Sequence, residues 1–547
     1  MTSARSSGPL GASGFNGIYR DDLAARAVYS EAAGIGRVMP RAVAVPRDAD
    51  DVVALVRWAN ATSTPLVPRG SGSSMPGGAI GRGVIVDLSR LDAIGDADPV
   101  TRLIAVGTGA IRNRVDERAR ASDLRFPVDP SSGAFCTVGG MVSTNAAGAR
   151  SLRYGATRRW VRALDCVFAD GSRAMVRRGE APPATAPVDR FLRDIAPAVR
   201  AAAADLDDGA LRKNSSGYGL ADFARSRELV DLLVGSEGTL AVVVGVELDL
   251  APLPGATASL LASFPTLDLA VVATEAARTG GATACELLDR TFLDVASRAG
   301  PLPVPPGTDA VLLVELEADD VESASGAVNA LATAFEGSGA SSVAIGLSDD
   351  EEHRLWELRH AASPILSRLD PSLRSMQFIE DGVVPPNRLA DYVRGVRATL
   401  STHDTAGVIF GHAGDAHVHV NPLVDVRHAG WRDRVAAILS DVVDLTARLG
   451  GSLSGEHGDG SLRAPFLDRT TPATVLELTR RVKHAFDPIG LLNPGVKVPL
   501  PGQRFVEDIK YDPMLPPLPR PAMRVLQRVE RDRAYAEFRL AMLDDEA

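Results

Sequence analysis

Cysteine is scarce in this sequence: Cys136, Cys166 and Cys285 are odd in number, far apart and never in a CxxC pair. Their scarcity excludes a disulfide framework, a zinc ribbon and a Cys-ligated iron–sulfur cluster within these residues. Long apolar runs are lacking too, and none approaches the ~18–20 residues that a transmembrane segment needs. The expected compartment is the cytoplasm, with a peripheral position at the inner face of a membrane as the alternative. Positive charge is not in excess. A formal net charge of −10 offers no broad attraction to nucleic acid, so an anionic substrate must be drawn by local arginines. Residues 1–17, rich in serine and glycine, lack an apolar stretch and read as a flexible leader.

What is present describes an ordinary globular chain, 45% apolar and 23% charged, whose 547 residues exceed one compact core. From Pro40 the pattern is strand, helix, strand: RAVAVP, then DADDVVALVRWANAT behind an Asp-rich start, then PLVPRG, GVIVDLS and LIAVGTG between glycine turns. ALDCVFADGS reads as a strand entering a turn at Asp170-Gly171. The segment PLPGA near 252–256 marks a boundary. Beyond it ATASLLASF, TDAVLLVELE, the charged helix DDEEHRLWELRHAASPILSRL and TAGVIFGHAG predict a second sheet covered by helices. Residues 499–521 are rich in proline and predict no core, and 522–542 have the spacing of one helix that docks on the body or on another protein. The fold class expected is α+β, with 18–252 and 253–498 as the two main domains.

PLVPRGSGSSMPGG puts a strand directly before Arg69, Gly70, Ser71, Gly72, Ser73 and Ser74. Such glycines let successive backbone N–H groups turn inward as an anion nest, and serine hydroxyls add donors suited to a pyrophosphate. Met75 and the absence of a following helix pattern separate this loop from the Rossmann fingerprint. A second glycine segment, DPSSGAFCTVGGMVSTNAAG, spans 129–148. With RYG at 153–155, KNSSGY at 213–218 and GSEGTL at 235–240, these motifs resemble in order the FAD-binding half of the vanillyl-alcohol-oxidase/para-cresol-methylhydroxylase group. The resemblance covers most of 40–500. It implies that loop 69–74 holds the pyrophosphate of FAD, that Pro130, Thr137, Gly139, Gly140, Thr144, Asn145, Gly148 and Gly155 lie along the flavin and ribityl chain, and that Glu237 and Gly238 sit near the adenine half. Neither loop holds a histidine and Cys136 is the lone cysteine there, so non-covalent FAD is expected.

Four of nine histidines fall in two glycine-rich segments, GHAGDAHVHVNP (411–422) and GGSLSGEHGDG (450–460). On a single helix His412 and His419 would lie about 10 Å apart along the axis, too far to share an ion. A strand, a Gly-Asp turn and a returning strand would join them, with His417 the rival ligand because it shares a strand face with His419. Glycines 455, 458 and 460 allow a loop that turns both Glu456 and His457 toward one ligand. A His2Glu set with open positions suits a divalent ion, Zn2+ or Mn2+, acting as a Lewis acid.

These segments resemble the FAD-linked D-2-hydroxy-acid dehydrogenases that act on D-lactate, glycolate or D-2-hydroxyglutarate. The resemblance implies His412, His419 and Glu456 as metal ligands and His457 as the base, with the C2 hydride passing to flavin N5. A cation is needed because an alcohol is too weak an acid for an imidazole of pKa ~6.5 alone. Arg359 is the candidate partner of the substrate carboxylate, set against a plain solvated charge on its helix. Asn421 and Asn493 are candidates for contacts with substrate and flavin. Where D-2-hydroxyglutarate enzymes often carry lysine, this sequence has Ile379, which puts a second substrate carboxylate in doubt. FIEDGVVPPNRL resembles a branch fused to an iron–sulfur module; none is encoded here, so a separate acceptor is expected, an iron–sulfur protein, a quinone or a cytochrome. A homodimer is a candidate assembly. The rival readings are an oxidase that reduces O2, a zinc hydrolase built on the His/Glu cluster, and a non-catalytic flavin-binding subunit.

Overall fold

The computed structural model describes residues 14–206, 209–360, 373–504 and 509–545. Most of the leader, the second half of the helix expected over 349–369, and part of the proline-rich segment therefore lie outside the described residues. Among them, no helix is long and apolar enough to cross a membrane.

Three sheets carry the architecture, which is α+β as expected. In the first, Ala42–Val45, Val84–Asp87 and Leu66–Arg69 run parallel, and Ile18–Arg20 adds antiparallel at the edge. A parallel neighbour requires a crossover, and the helix Ala49–Thr62 supplies it. Asp48 caps that helix by accepting from the Asp51 N–H, and Val52, Leu55, Val56 and Ala59 bury its apolar stripe. The second sheet is antiparallel, in the order Leu103–Gly107, Val242–Asp249, Val161–Val167, Arg173–Arg177. Its Val161–Val167 to Arg173–Arg177 hairpin turns at Asp170-Gly171, with Gly171 at φ 78°.

The third sheet has eight strands, and its centre sets up the functional site. Ala310–Ala318, Ala284–Asp289, Ala406–His412 and His417–Asp425 lie side by side, all antiparallel. Ala284–Asp289 is buried along its length although it holds Glu286 and Asp289. Carboxylates so placed must find partners.

Chain order and packing part ways at the C-terminal end. The helix Ala473–Phe486 returns to the first half, where Val482 and Phe486 share a cluster with Phe168 and Phe191. Past it, the structure differs from the sequence reading twice. The proline-rich segment does contribute to the interior, through Ile509 and Leu518. The single helix expected over 522–542 is two, Arg520–Asp532 and Glu537–Asp545, broken where Arg533 adopts φ 57°. The break lets Ala522, Met542 and Leu543 reach one cluster with Val43, Val45 and Ile85. The tail thus docks on the body.

Candidate active site

A cavity of about 1010 Å3 runs from loop 70–74 past the 129–150 segment to the histidines. The sequence reading took 129–148 as a loop, but a short helix, Val138–Thr144, begins inside it, capped by Thr137 whose Oγ1 accepts from the Gly140 N–H. Gly139 is therefore helical, and its value is close approach: a Cβ there would lie 1.7 Å from Thr108 Oγ1. Gly70, Ser71, Gly72, Ser73, Ser74, Pro130, Thr137, Gly139, Gly140, Thr144, Gly148, Glu237 and Gly238 all line this cavity.

Four side chains expected along FAD, those of Arg69, Asn145, Asn493 and Glu237, also have protein partners of their own, and Gly155 borders a different cavity. The buried Arg69 guanidinium donates to the carbonyls of Tyr29, Glu31 and Ala79, which anchors the loop. Asn145 ends the Val138–Thr144 helix at φ 53° and accepts the Arg158 N–H on Oδ1, and it faces a second cavity together with Gly155. Asn493 donates to the carbonyls of Gly78 and Glu237. Glu237, although it borders the cavity, accepts from the backbone of Asp459 and Gly460 and pairs with Lys497 at 3.1 Å. Its carboxylate braces the loop that carries His457.

At the far end, the hairpin Ala406–His412 to His417–Asp425, with a turn at Ala413–Asp415, brings the histidines together. Gly411 is required there, because a Cβ would lie 2.3 Å from the His417 carbonyl oxygen. Loop 454–460 completes the cluster: Ser215 donates to the Gly455 carbonyl, and Asp381 accepts the backbone N–H of Gly455 neighbours Glu456 and His457. His412 Nε2 lies 3.3 Å from His419 Nε2 and 3.3 Å from Glu456 Oε1, and His419 Nε2 is 3.4 Å from the same oxygen. A tetrahedral ion with bonds of about 2.0–2.1 Å spaces its ligand atoms by about 3.3–3.4 Å, so this triangle fits one face of such a site. The opposite ring nitrogens support the fit. His412 Nδ1 donates to Glu286 and His419 Nδ1 donates to the Glu380 carbonyl at 2.8 Å, which turns both Nε2 lone pairs into the triangle. His417, the rival, gives Nε2–H to Asp381 at 2.7 Å, which leaves its buried Nδ1 without a hydrogen-bond partner, 4.0 Å from Glu456 Oε2 and within reach of the same ion.

Charges around the triangle are strongly coupled. Burial opposes ionisation of Glu456, yet Lys213 at 3.0 Å and then His412 hold it well below the usual carboxylate range. Burial likewise opposes charge on Glu286, but His412 and Arg359 hold it down at about 2. Burial and Lys213 push His417 down to about 3. On His457, burial disfavours the imidazolium, while Asp381 and Glu380 outweigh it and raise the group to about 9.

His457 Nδ1 is 3.0 Å from Glu380 Oε1, and its Nε2 faces the triangle, 3.7 Å from Glu456 Oε1. Arg359 donates to Glu286 Oε2 at 2.9 Å and lies over the Phe410 ring at 4.4 Å, and both it and Asn421 border the cavity. Sequence reasoning gave no role to Glu286, Glu380, Asp381, Lys213 or Arg463. A signal existed for Glu286, an acid in the middle of the otherwise apolar stretch ACELL. Lys213 lies in KNSSGY, and Glu380 and Asp381 in FIEDGVVPPNRL, but only the fold shows whom they meet.

Comparison with known proteins agrees with this geometry. Residues 40–176 match the model of the FAD binding domain, and 253–496 that of the FAD linked oxidases, C-terminal domain. The chain is 30% identical over 485 residues to glycolate oxidase subunit GlcD of Bacillus subtilis, covering 87% of this chain and 93% of that one. It is also 30% identical to the D-lactate dehydrogenase of Archaeoglobus fulgidus, over 84% of this chain and 92% of that one. The D-2-hydroxyglutarate dehydrogenase of Xanthomonas citri is 30% identical, with 83% and 89% covered. In structure, 4-ethylphenol oxidase from Gulosibacter chungangensis shares the fold with a TM-score of 0.66 at 14% identity, covering 89% of this chain and 94% of that one. A hydrolase that uses the glycine loops only as scaffold is not compatible with these matches. Both halves of the chain, in this order and around this cavity, make it a member of the FAD-linked oxidase family and an oxidoreductase.

Proposed function

We propose that the protein is an FAD-dependent dehydrogenase that oxidises a small D-2-hydroxy acid, of the D-lactate, glycolate or D-2-hydroxyglutarate type, to the 2-oxo acid. The observation that carries this reading is the His412–His419–Glu456 triangle with His457 Nε2 at its edge, inside the cavity that begins at the glycine loop. When bound, the flavin supplies a two-electron acceptor for the C2 hydride, and a divalent ion supplies Lewis acidity toward the substrate hydroxyl. His412, His419 and Glu456 would hold that ion. His457 takes the hydroxyl proton on Nε2, and Glu380 and Asp381 fix its ring and stabilise the imidazolium that results. Those carboxylates acting alone would keep His457 protonated near neutral pH; a cation at the triangle works in the opposite sense. Arg359 receives the substrate carboxylate, oriented by its pair with Glu286, and Asn421 offers an amide on the same wall. Ile379 is packed in the core and brings no charge to a second carboxylate, which favours substrates with one.

The test is anaerobic mixing of the flavin-loaded protein with D- and L-2-hydroxy acids while absorbance at about 450 nm is followed. Bleaching by a D-acid and not by its L-enantiomer is expected; no bleaching by any member of the series contradicts the reading. Repeating the assay in air, with peroxide as the readout, separates a dehydrogenase from an O2-using oxidase. The electron acceptor is proposed to be a separate iron–sulfur protein, quinone or cytochrome.

A further inference from the structure

Two negative charges must be met where the pyrophosphate of a flavin dinucleotide lies, and the glycine loop itself brings only neutral donors. Several arginines border the cavity, yet most are committed elsewhere. Arg69 is held by three carbonyls, Arg150 by Asp129 and Glu315, and Arg359 by Glu286. Arg533 differs. Among the described residues of the cavity wall it is the arginine engaged with neither a carboxylate nor a carbonyl, and its guanidinium meets only the Tyr535 hydroxyl, at 3.2 Å.

Its position is enforced. The chain at Arg533 is left-handed, φ 57°, a conformation that disfavours a residue with a Cβ and that persists where the surroundings impose it. They do so here. Tyr535 is buried with its ring 5.0 Å from that of Phe135, beside the Val138–Thr144 helix. Arg539 is buried as well and donates to the carbonyls of Tyr535, Val28 and Glu31. The Glu31 carbonyl also accepts from Arg69, and two residues on, Ala33 N–H donates to the Gly72 carbonyl at 2.9 Å. The C-terminal segment is thereby tied through residues 28–33 to the anion loop, and it sets one exposed guanidinium at the cavity's rim. This segment lies beyond residue 496, where the family match ends.

We propose that Arg533 is the side-chain counter-ion of the FAD pyrophosphate, and that residues 520–545 belong to the cofactor site. The proposal rests on FAD being the bound group, which the parent protein's own titration checks separately. The experiment is titration of apoprotein with FAD, followed by flavin fluorescence, for the parent and for Arg533→Lys, Arg533→Asn and Arg533→Glu. Asparagine removes the charge while tolerating the left-handed backbone. The expected order of affinity is Arg, Lys, Asn, Glu, with the Asn variant weaker than the parent by about tenfold. Added salt should weaken the parent more than the Asn variant. Thermal unfolding of each apoprotein should be parent-like, since the side chain is exposed. An Asn variant that binds FAD within about twofold of the parent, or a Lys variant as weak as Asn, overturns the proposal.

Discussion

Glu286 uses both carboxylate oxygens, one for His412 Nδ1 and the other for Arg359 Nε, and is wholly buried between them. It links the His412–His419–Glu456 triangle to the residue proposed to grip the substrate. A glutamine at this position can accept only one of those N–H groups and opposes the other with its own N–H2, so Glu286→Gln is expected to weaken metal affinity about 10–100-fold. Competition with a chromophoric chelator measures this, and the KM for the hydroxy acid should rise with it. His457→Ala should abolish substrate-driven flavin reduction while FAD stays bound; unchanged reduction would remove His457 as the base. The residue types and spacing of the four histidines and Glu456 were legible in the sequence. The partners that orient them were not, because Glu286, Glu380 and Lys213 act across 126, 77 and 243 positions of chain.

At the scale of elements, the hairpin 406–425 and loop 454–460 depend on close approach. Gly411 faces the His417 carbonyl, and a Cβ on Gly455 would lie 2.7 Å from the His417 ring. Gly411→Ala is expected to cost about 1–3 kcal/mol of stability and to lower bound metal below one ion per chain, read by calorimetry and elemental analysis. The C-terminal elements carry a second prediction. Arg539→Ala leaves buried carbonyls of Val28 and Glu31 without this donor, and a loss of about 3 kcal/mol in stability is expected from thermal or urea unfolding. The strand–helix–strand start and the hairpin were readable because their period and turn residues agree. The broken tail helix was not, since Arg533 stands where a glycine or asparagine would have announced the stop. Nor was the helix at 138, whose glycines resembled a loop.

For the whole molecule, three sheets far apart in sequence surround one cavity. Its loop end and its histidine end were each predicted from local motifs, and what joins them is a network of buried ion pairs. Lys497 pairs with Glu237 and Asp459, and Arg463 pairs with Glu380 and Asp381, so the His457 loop is braced from both halves of the chain. Such pairs arise from packing that no window of sequence contains. The central claim is that a divalent ion at His412, His419 and Glu456 works with His457 on one hydroxyl. The most direct test is single-turnover anaerobic flavin reduction by the best D-2-hydroxy acid, with one protein sample before chelation, after chelation and after Zn2+ or Mn2+ is restored. The account predicts rapid bleaching, loss of bleaching with FAD retained, and recovery; bleaching at the same rate in the chelated protein would contradict it.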